Sequence, residues 1–474
     1  MRVAAVDQGT TSTRVLIADT DGGLGIAHAV THQQFHPHSG WVEHDPEELL
    51  ANILHCLEVA GSVDAIGIDN QGESCVAWDA ETGTALSPVI VWQDNRTADA
   101  VAKLKDKGAA SLTLSRAGLP LDAYFSASKL AWIVDTIPAA KNALRAGRLR
   151  LGTTDAFFLD RLTGHFATDV TTASRTSLMN LETGQWDAEL CDLFGVPIEA
   201  LPEIRSTVAD YGRINGIPVT ASVVDQQAAL FGHGCRKPGD AKITFGTGAF
   251  ALAVTGSKIT HAPEKGLLPT VAWRIDGKLT YAVDGGVYDA GSALEWAKRI
   301  GLVSDFEKDL EGFDDTPAIA RGVVFVPALS GLACPHWDRT AASLFLGMSA
   351  GTTQADLRQA LLEGIALSAA DVVTAMSAHV PIGGSITIDG GLARNRYFAQ
   401  FLADMIGRDV IVSDFDERTA FGTAKLAAFG LGATLPEPDC PSKTFHPRSL
   451  DNSAIRRRFH DAVSRSRGWR DLSE

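Results

Sequence analysis

The sequence predicts an α/β protein of two domains, on three observations. At 474 residues the chain is longer than one hydrophobic core ordinarily serves. Apolar strand-like runs alternate with stretches whose apolar residues recur every three or four positions. A strand, a Gly/Thr turn and a second strand near the N-terminus reappear about half a chain later, as an internal duplication would produce.

In chain order, residues 2–6 (RVAAV) read as an apolar strand, 7–13 (DQGTTST) as a polar turn and 14–18 (RVLIA) as the returning strand of a hairpin. The second copy is residues 241–245 (AKITF), the turn 246–248 (GTG) and the strand 249–254 (AFALAV). Residues 357–376 carry apolar side chains at helical spacing, and 385–388 (SITI) read as a strand ending in the turn Asp389-Gly390-Gly391. The boundary falls near residue 234. This gives an N-terminal domain over 1–234 and a C-terminal one over 235–474, with the ligand expected in the cleft between them.

Bulk properties exclude several classes of function. A net charge of −15 opposes binding to a nucleic-acid backbone or an anionic membrane, though a local site can still oppose that field and hold a nucleotide. The four-residue apolar run at the N-terminus is too short for a signal peptide, and no apolar stretch reads as long enough to span a bilayer. The six cysteines are scattered without a CxxC pair. They are expected to be reduced, mostly buried thiols of a cytoplasmic protein, with no metal cluster.

Polar residues at element ends are the candidates for chemistry. A Gly/Thr turn offers N–H groups and hydroxyls with little bulk, so phosphate oxygens can approach it; alone, each turn reads equally as an ordinary hairpin. Asp7, at the end of the first strand, could hold Mg²⁺. Asp225 follows the apolar segment 219–224, where it could accept a proton from a substrate hydroxyl or simply cap a helix. Residues 389–395 (DGGLARN) form a Gly-rich turn that could lie against an adenine or ribose, or be a plain turn. Glu73 sits in a polar cluster suited to a polyol, and Trp92, Tyr124 and Phe250 are aromatics beside polar turns that could equally be core.

Taken together these stretches resemble the FGGY carbohydrate kinases, and within them the glycerol kinases, over nearly the whole chain. The resemblance rests on DQGTTSTR (7–14), WVEHDPEE (41–48), GIDNQGES (67–74), VWQDNRT (91–97) and GLPLDAYFSASKLAWIVD (118–135). It continues through ASRTSLMN (173–180), DQQAALFG (225–232), FGTGAF (245–250), GLACPHWD (331–338) and DGGLARN (389–395). One family signature spans 124–135 with Lys129 and Trp132 in place. The other runs from Ser343 through Gly347 to Glu363.

The resemblance implies two actin-like, ribonuclease H-like ATPase domains flanking a cleft. It implies ATP- and Mg²⁺-dependent phosphorylation of a hydroxyl of glycerol or a short relative, and assembly as a homodimer or homotetramer. Carried over by position, it implies Asp225 as general base and Asp7 as the magnesium-associated carboxylate. Thr10, Thr11 and Arg14 correspond to the first phosphate loop, and Thr247 and Gly248 to the second. Gly291, Glu295, Gly391 and Asn395 complete the ATP site. Gly72, Glu73, Trp92, Tyr124, Asp225, Gln226 and Phe250 form the polyol pocket.

Two departures from the resemblance carry expectations. Gly72 stands where glycerol kinases carry arginine, which removes donors and opens volume; this keeps a four- or five-carbon polyol or ketose as the alternative acceptor. The segment 211–218 is shorter than the loop that binds fructose 1,6-bisphosphate in some bacterial relatives, so inhibition by that sugar phosphate is not expected. Outside the class stands an actin-like ATPase without an acceptor, which Glu73, Trp92, Tyr124 and Asp225 argue against.

Overall fold

The computed structural model describes residues 1–448 and 452–470. Its framework is two mixed sheets. The first contains β1 (Arg2–Gln8), β2 (Ser12–Asp19), β3 (Leu24–Thr31), β4 (Ala65–Asn70), β5 (Arg213–Ile214) and β6 (Ile217–Val224), in the order β5-β6-β4-β1-β2-β3. The second contains β7 (Ala241–Phe245), β8 (Ala249–Gly256), β9 (Leu268–Ile275), β10 (Lys278–Val287), β11 (Ser385–Gly390), β12 (Asp409–Ser413) and β13 (Ser442–Phe445), in the order β9-β10-β8-β7-β11-β12-β13.

The duplication read from the two turns is visible as shared topology. β1 pairs antiparallel with β2 and parallel with β4, which pairs parallel with β6. Likewise β7 pairs antiparallel with β8 and parallel with β11, which pairs parallel with β12. The outer strands break the symmetry, since β5 precedes β6 in the chain whereas β13 follows β12. Val3 to Val6 of β1 are all buried, as expected for a parallel-sheet strand covered on both faces.

Helices follow the strands. α1 (Pro46–Ala60) lies against β2 and β3, α2 (Asp225–Gly232) follows β6, α3 (Gly291–Arg299) follows β10, α4 (Gln354–Ser377) precedes β11, and α5 (Arg418–Gly430) follows β12. α4 starts three residues earlier than its apolar spacing predicts, because Thr353 and Asp356 close a capping box. By length and composition α4 could cross a membrane, which corrects the expectation that no apolar segment is long enough. It is instead a core helix, with 78% of its most apolar window buried inside the protein.

α2 and α5, the equivalent helices of the two halves, cross at glycines. A Cβ on Gly422 would stand 1.9 Å from the Ala228 carbonyl oxygen, and one on Gly232 1.8 Å from that of Arg418. α5 also lies on the first sheet, where Ala420, Phe421, Ala424 and Ala427 join one core with Ala5, Ala65 and Ala221. Five of the six cysteines are buried, Cys440 is exposed, and all are free, as expected of reduced thiols.

Candidate functional site

The loops at the carboxyl ends of β1, β4, β6 and β7 converge, the usual place for a site in a sheet with parallel strands. A cavity of about 170 Å³ opens there. It is lined by all seven residues assigned to the polyol pocket and by Thr10, Thr247 and Gly248 of the two Gly/Thr turns. A chamber of about 250 Å³ shares Trp92, Tyr124, Arg175 and Phe250 with it.

Glu73 and Arg175 set the polar character of the cavity. Glu73 is buried with φ at 60°, a left-handed backbone that a non-glycine residue holds only when its surroundings impose it. Burial raises its carboxyl pKa, and the adjacent Arg175 guanidinium opposes that rise. Arg175 Nε donates to Glu73 Oε1 at 2.7 Å and its Nη2 to Asp284 Oδ2 at 3.1 Å. Burial opposes the guanidinium charge, but Glu73 and Asp284 outweigh it and hold the pKa raised. Arg175 Nη1 and Asp284 Oδ1 are buried with no partner in the protein.

The space beside Gly72 is partly taken. A Cβ built there would meet Val224 Cγ2 at 3.0 Å, and Val224 lines the cavity. Of the occupants such a space could have, water, another side chain or a longer substrate, the structure places a side chain, Val224 from the end of β6, beside the Cβ position. Trp92 and Tyr124 meet edge-to-face with centroids 5.6 Å apart, and Trp92 Nε1 donates to Thr10 Oγ1 at 3.0 Å, tying this wall to the first turn.

Asp225 is the first residue of α2, not its cap; Val224 occupies the cap position. This corrects the capping alternative, and the carboxylate faces the cavity while accepting the Gln226 N–H at 2.6 Å. Burial, and then the charge of Glu73, push its pKa up to about 7. An acid so placed accepts a proton near neutral pH. Gln226 lines the same cavity, its Oε1 accepting from Lys242 Nζ at 2.6 Å.

The second turn is oriented by α3. The N–H groups of Ala290 and Ser292 donate to the Thr247 carbonyl, and that of Gly291 to the Gly246 carbonyl. An N–H points away from the carbonyl of its own planar peptide. The N–H groups of Thr247 and Gly248 are therefore turned away from α3, toward the cavity these residues line. Gly291 is required by this contact, since a Cβ there would lie 2.5 Å from the Gly246 oxygen.

Beyond the turn lies a groove of about 1260 Å³ that gathers Thr247, Gly291, Glu295, Gly391 and Asn395. Asn395 lines it with a side chain already committed: Oδ1 accepts the Phe398 N–H at 2.8 Å and Nδ2 donates to the Leu310 carbonyl at 2.7 Å.

Asp7, Thr11 and Arg14 line neither the cavity nor the groove. Asp7 pairs in register with Asp69 of β4, and Arg14 Nε lies 3.7 Å from Asp7 Oδ2. Burial raises both carboxyl pKa values. Arg14 opposes the rise at Asp7, whereas the charge of Asp7 adds to the rise at Asp69. Asp69 Oδ2 accepts from Thr423 Oγ1 at 2.6 Å, while Oδ1 is buried without a donor. These hard oxygen atoms suit a divalent cation such as Mg²⁺, and the orphaned Oδ1 is an atom that the ion or its water would satisfy. Among the described residues no group of three or more His, Cys, Asp or Glu could hold a metal, so other ligands would come from water or substrate.

Sequence reasoning missed Arg175, Lys242, Asp284 and Asp69 as site residues. Their signal is a lone charge in an apolar or small-residue run: Lys242 between Ala241 and Ile243, and Asp284 after Tyr281, Ala282 and Val283.

Residues 2–232 match the model of the N-terminal domain of the FGGY family of carbohydrate kinases, and residues 241–431 match that of its C-terminal domain. A glycerol kinase of Thermus brockianus is 40% identical over 489 aligned residues, covering 98% of each chain. One of Parabacteroides distasonis is 38% identical over 98% of each. The crystal structure of Plasmodium falciparum glycerol kinase with ADP matches with a TM-score of 0.90 at 31% identity, covering 98% of each chain. A xylulose kinase of Rhodospirillum rubrum, 23% identical with a TM-score of 0.84 over 98% of each chain, shares the fold.

Proposed function

The chain belongs to the FGGY family of carbohydrate kinases, and from that premise we propose that it transfers the γ-phosphoryl group of ATP to a hydroxyl of glycerol or a closely related short polyol. The observation that carries this reading is Asp225. It is a carboxyl titrating at about 7, in one small cavity with a fixed carboxylate acceptor, Glu73, and the turn Gly246–Gly248. The glycerol kinases of similar sequence and structure support the acceptor class.

In this reading residues 1–234 hold the acceptor and the first phosphate turn, and residues 235–474 hold the nucleotide. The base and ribose lie along Gly291, Glu295, Gly391 and Asn395, and the phosphates meet Thr10, Thr11, Arg14, Thr247 and Gly248. The acceptor oxygen attacks the γ-phosphorus, the bond from phosphorus to the ADP oxygen breaks, and the hydroxyl proton passes to Asp225. Backbone N–H groups of the turns meet the charge on the moving group. Asp7, with Asp69 beside it, would hold magnesium, which when bound offsets the charge of the β- and γ-phosphates. Val224, whose Cγ2 would lie 3.0 Å from a Cβ on Gly72, takes part of the space beside that glycine, which supports a short acceptor.

The test is an ADP-release assay with ATP and Mg²⁺ over glycerol, erythritol, xylitol and xylulose. Glycerol is expected to give the highest kcat/KM. A four- or five-carbon winner would overturn the assignment of acceptor size, and silence over the whole panel would overturn the assignment of acceptor class.

A further inference from the structure

Behind two residues of the cavity wall, Gln226 and Thr244, lies a buried cation that the proposed chemistry does not use. Lys242 lies in β7 and is fully buried. Its Nζ donates to Gln226 Oε1 at 2.6 Å and to Thr244 Oγ1 at 2.8 Å. Three carboxylates, Asp389, Asp225 and Asp284, act on it. Lys242 belongs to the first strand of the second sheet, whereas Gln226 belongs to the helix that begins with the base.

An ammonium group has donors and no acceptor. A glutamine facing it must present oxygen, so the other end of the amide, Nε2, is left for the cavity that Gln226 lines. Glu73 is the opposite case. Its Oε1 is held by Arg175, and as a carboxylate it can only accept. The cavity thus offers one fixed acceptor and one fixed donor. That set complements two neighbouring hydroxyls, one donating to Glu73 and one accepting from Gln226. Burying an ammonium rarely adds stability over a well-packed apolar side chain, so stability does not account for the lysine.

We infer that Lys242 is a positioning residue that locks the Gln226 amide as a hydrogen-bond donor to an acceptor hydroxyl, and so selects for a substrate with hydroxyls on adjacent carbons. This inference rests on the proposed reading that a short polyol occupies the cavity.

The test compares glycerol with propane-1,3-diol, which lacks the central hydroxyl, in the unsubstituted chain, Lys242→Met and Lys242→Gln. Methionine keeps the length and removes the donors; glutamine keeps a donor but adds an acceptor, so it no longer fixes which end of the Gln226 amide faces it. The expected result is a KM for glycerol raised about 10-fold in K242M, the effect of one lost hydrogen bond. The KM for propane-1,3-diol and for ATP should stay within about twofold. K242Q, which can present either end of its amide to Gln226, should leave the preference for glycerol about as low as in K242M, whereas a merely structural lysine would be replaced by a glutamine that still fills the site and hydrogen-bonds. An unchanged preference in K242M, or a K242Q that restores the full preference, overturns the inference. Should K242M not fold, Gln226→Met carries the test: it must collapse the same preference, and a preference left intact overturns the inference. Failure of the unsubstituted chain to turn over any polyol would overturn the underlying reading as well. Turnover of glycerol with K242M unchanged would overturn the role of Lys242 alone.

Discussion

Replacing Asp225 by Asn should abolish turnover and make the protein more stable, and the stability gain should depend on pH. The folded protein raises the Asp225 pKa from 3.8 to about 7. At about 1.4 kcal/mol per pH unit, that interval sets a ceiling of about 4 kcal/mol on the cost of ionising it in the native state. Real protein sites respond with an effective dielectric well above that of a dry interior, so about 1–2 kcal/mol is the expected size. The sign follows from the protons bound. Between the two values the native state keeps a proton that the unfolded chain has released, so this group's contribution falls as pH rises from about 4 to about 7. Asparagine cannot ionise and can still accept the Gln226 N–H, so D225N escapes the loss. Urea unfolding at pH 5 and pH 8 should show D225N gaining on the unsubstituted chain, by more at pH 8. Its turnover should fall by about 10²–10⁴. A stability gain equal at the two pH values, a loss at pH 8, or retained turnover would refute the reasoning.

Three further outcomes can be checked. The kcat/KM of the unsubstituted chain should fall as pH drops through about 7, as Asp225 gains its proton; a flat profile from pH 8 to pH 6 would contradict it. Arg175→Met leaves Glu73 and Asp284 buried without their cation. Stability should drop by about 3–5 kcal/mol, with the polyol KM raised and the ATP KM little changed. Gly72→Ala should cost about 1 kcal/mol, because its Cβ meets Val224 Cγ2 at 3.0 Å. Adding Val224→Ala should remove that cost, and a double-mutant cycle without coupling would show that the two positions do not share the space.

What the sequence shows and what it hides follow from distance along the chain. The two hairpins are legible because strand, turn and strand are contiguous and the Gly/Thr turns recur. α4 is legible from its spacing, but not its burial, since a membrane span and a core helix share a composition. Glu73 is legible as polar, yet its orientation comes from Arg175, 102 residues away, and that of Arg175 from Asp284, another 109 residues on. Thr423 reaches Asp69 across 354 residues because α5 returns to the first sheet. The neighbour of Gly72 is hidden for the same reason: local sequence reveals an absent side chain but not the valine that the β4–β6 pairing brings beside it.

The buried charges of this cavity make sense as directional devices. A polyol carries no charge, so a site can recognise it only by shape and by which of its groups donate and which accept. A glutamine offers both at once, and a free carboxylate can rotate. Each becomes selective only when one end is fixed, and a buried cation fixes it because a cation can only donate. Arg175 does this for Glu73, and Lys242 does it for Gln226. Asp284 and Asp389 have no polyol to hold in this scheme; Asp284 supports the Arg175 charge, and both oppose the fall that burial imposes on the Lys242 pKa. A paired ionic core of this kind adds little stability over an apolar one. What it provides is a fixed pattern of one acceptor and one donor beside Asp225, and that pattern distinguishes a chain with hydroxyls on adjacent carbons from one that lacks either of them.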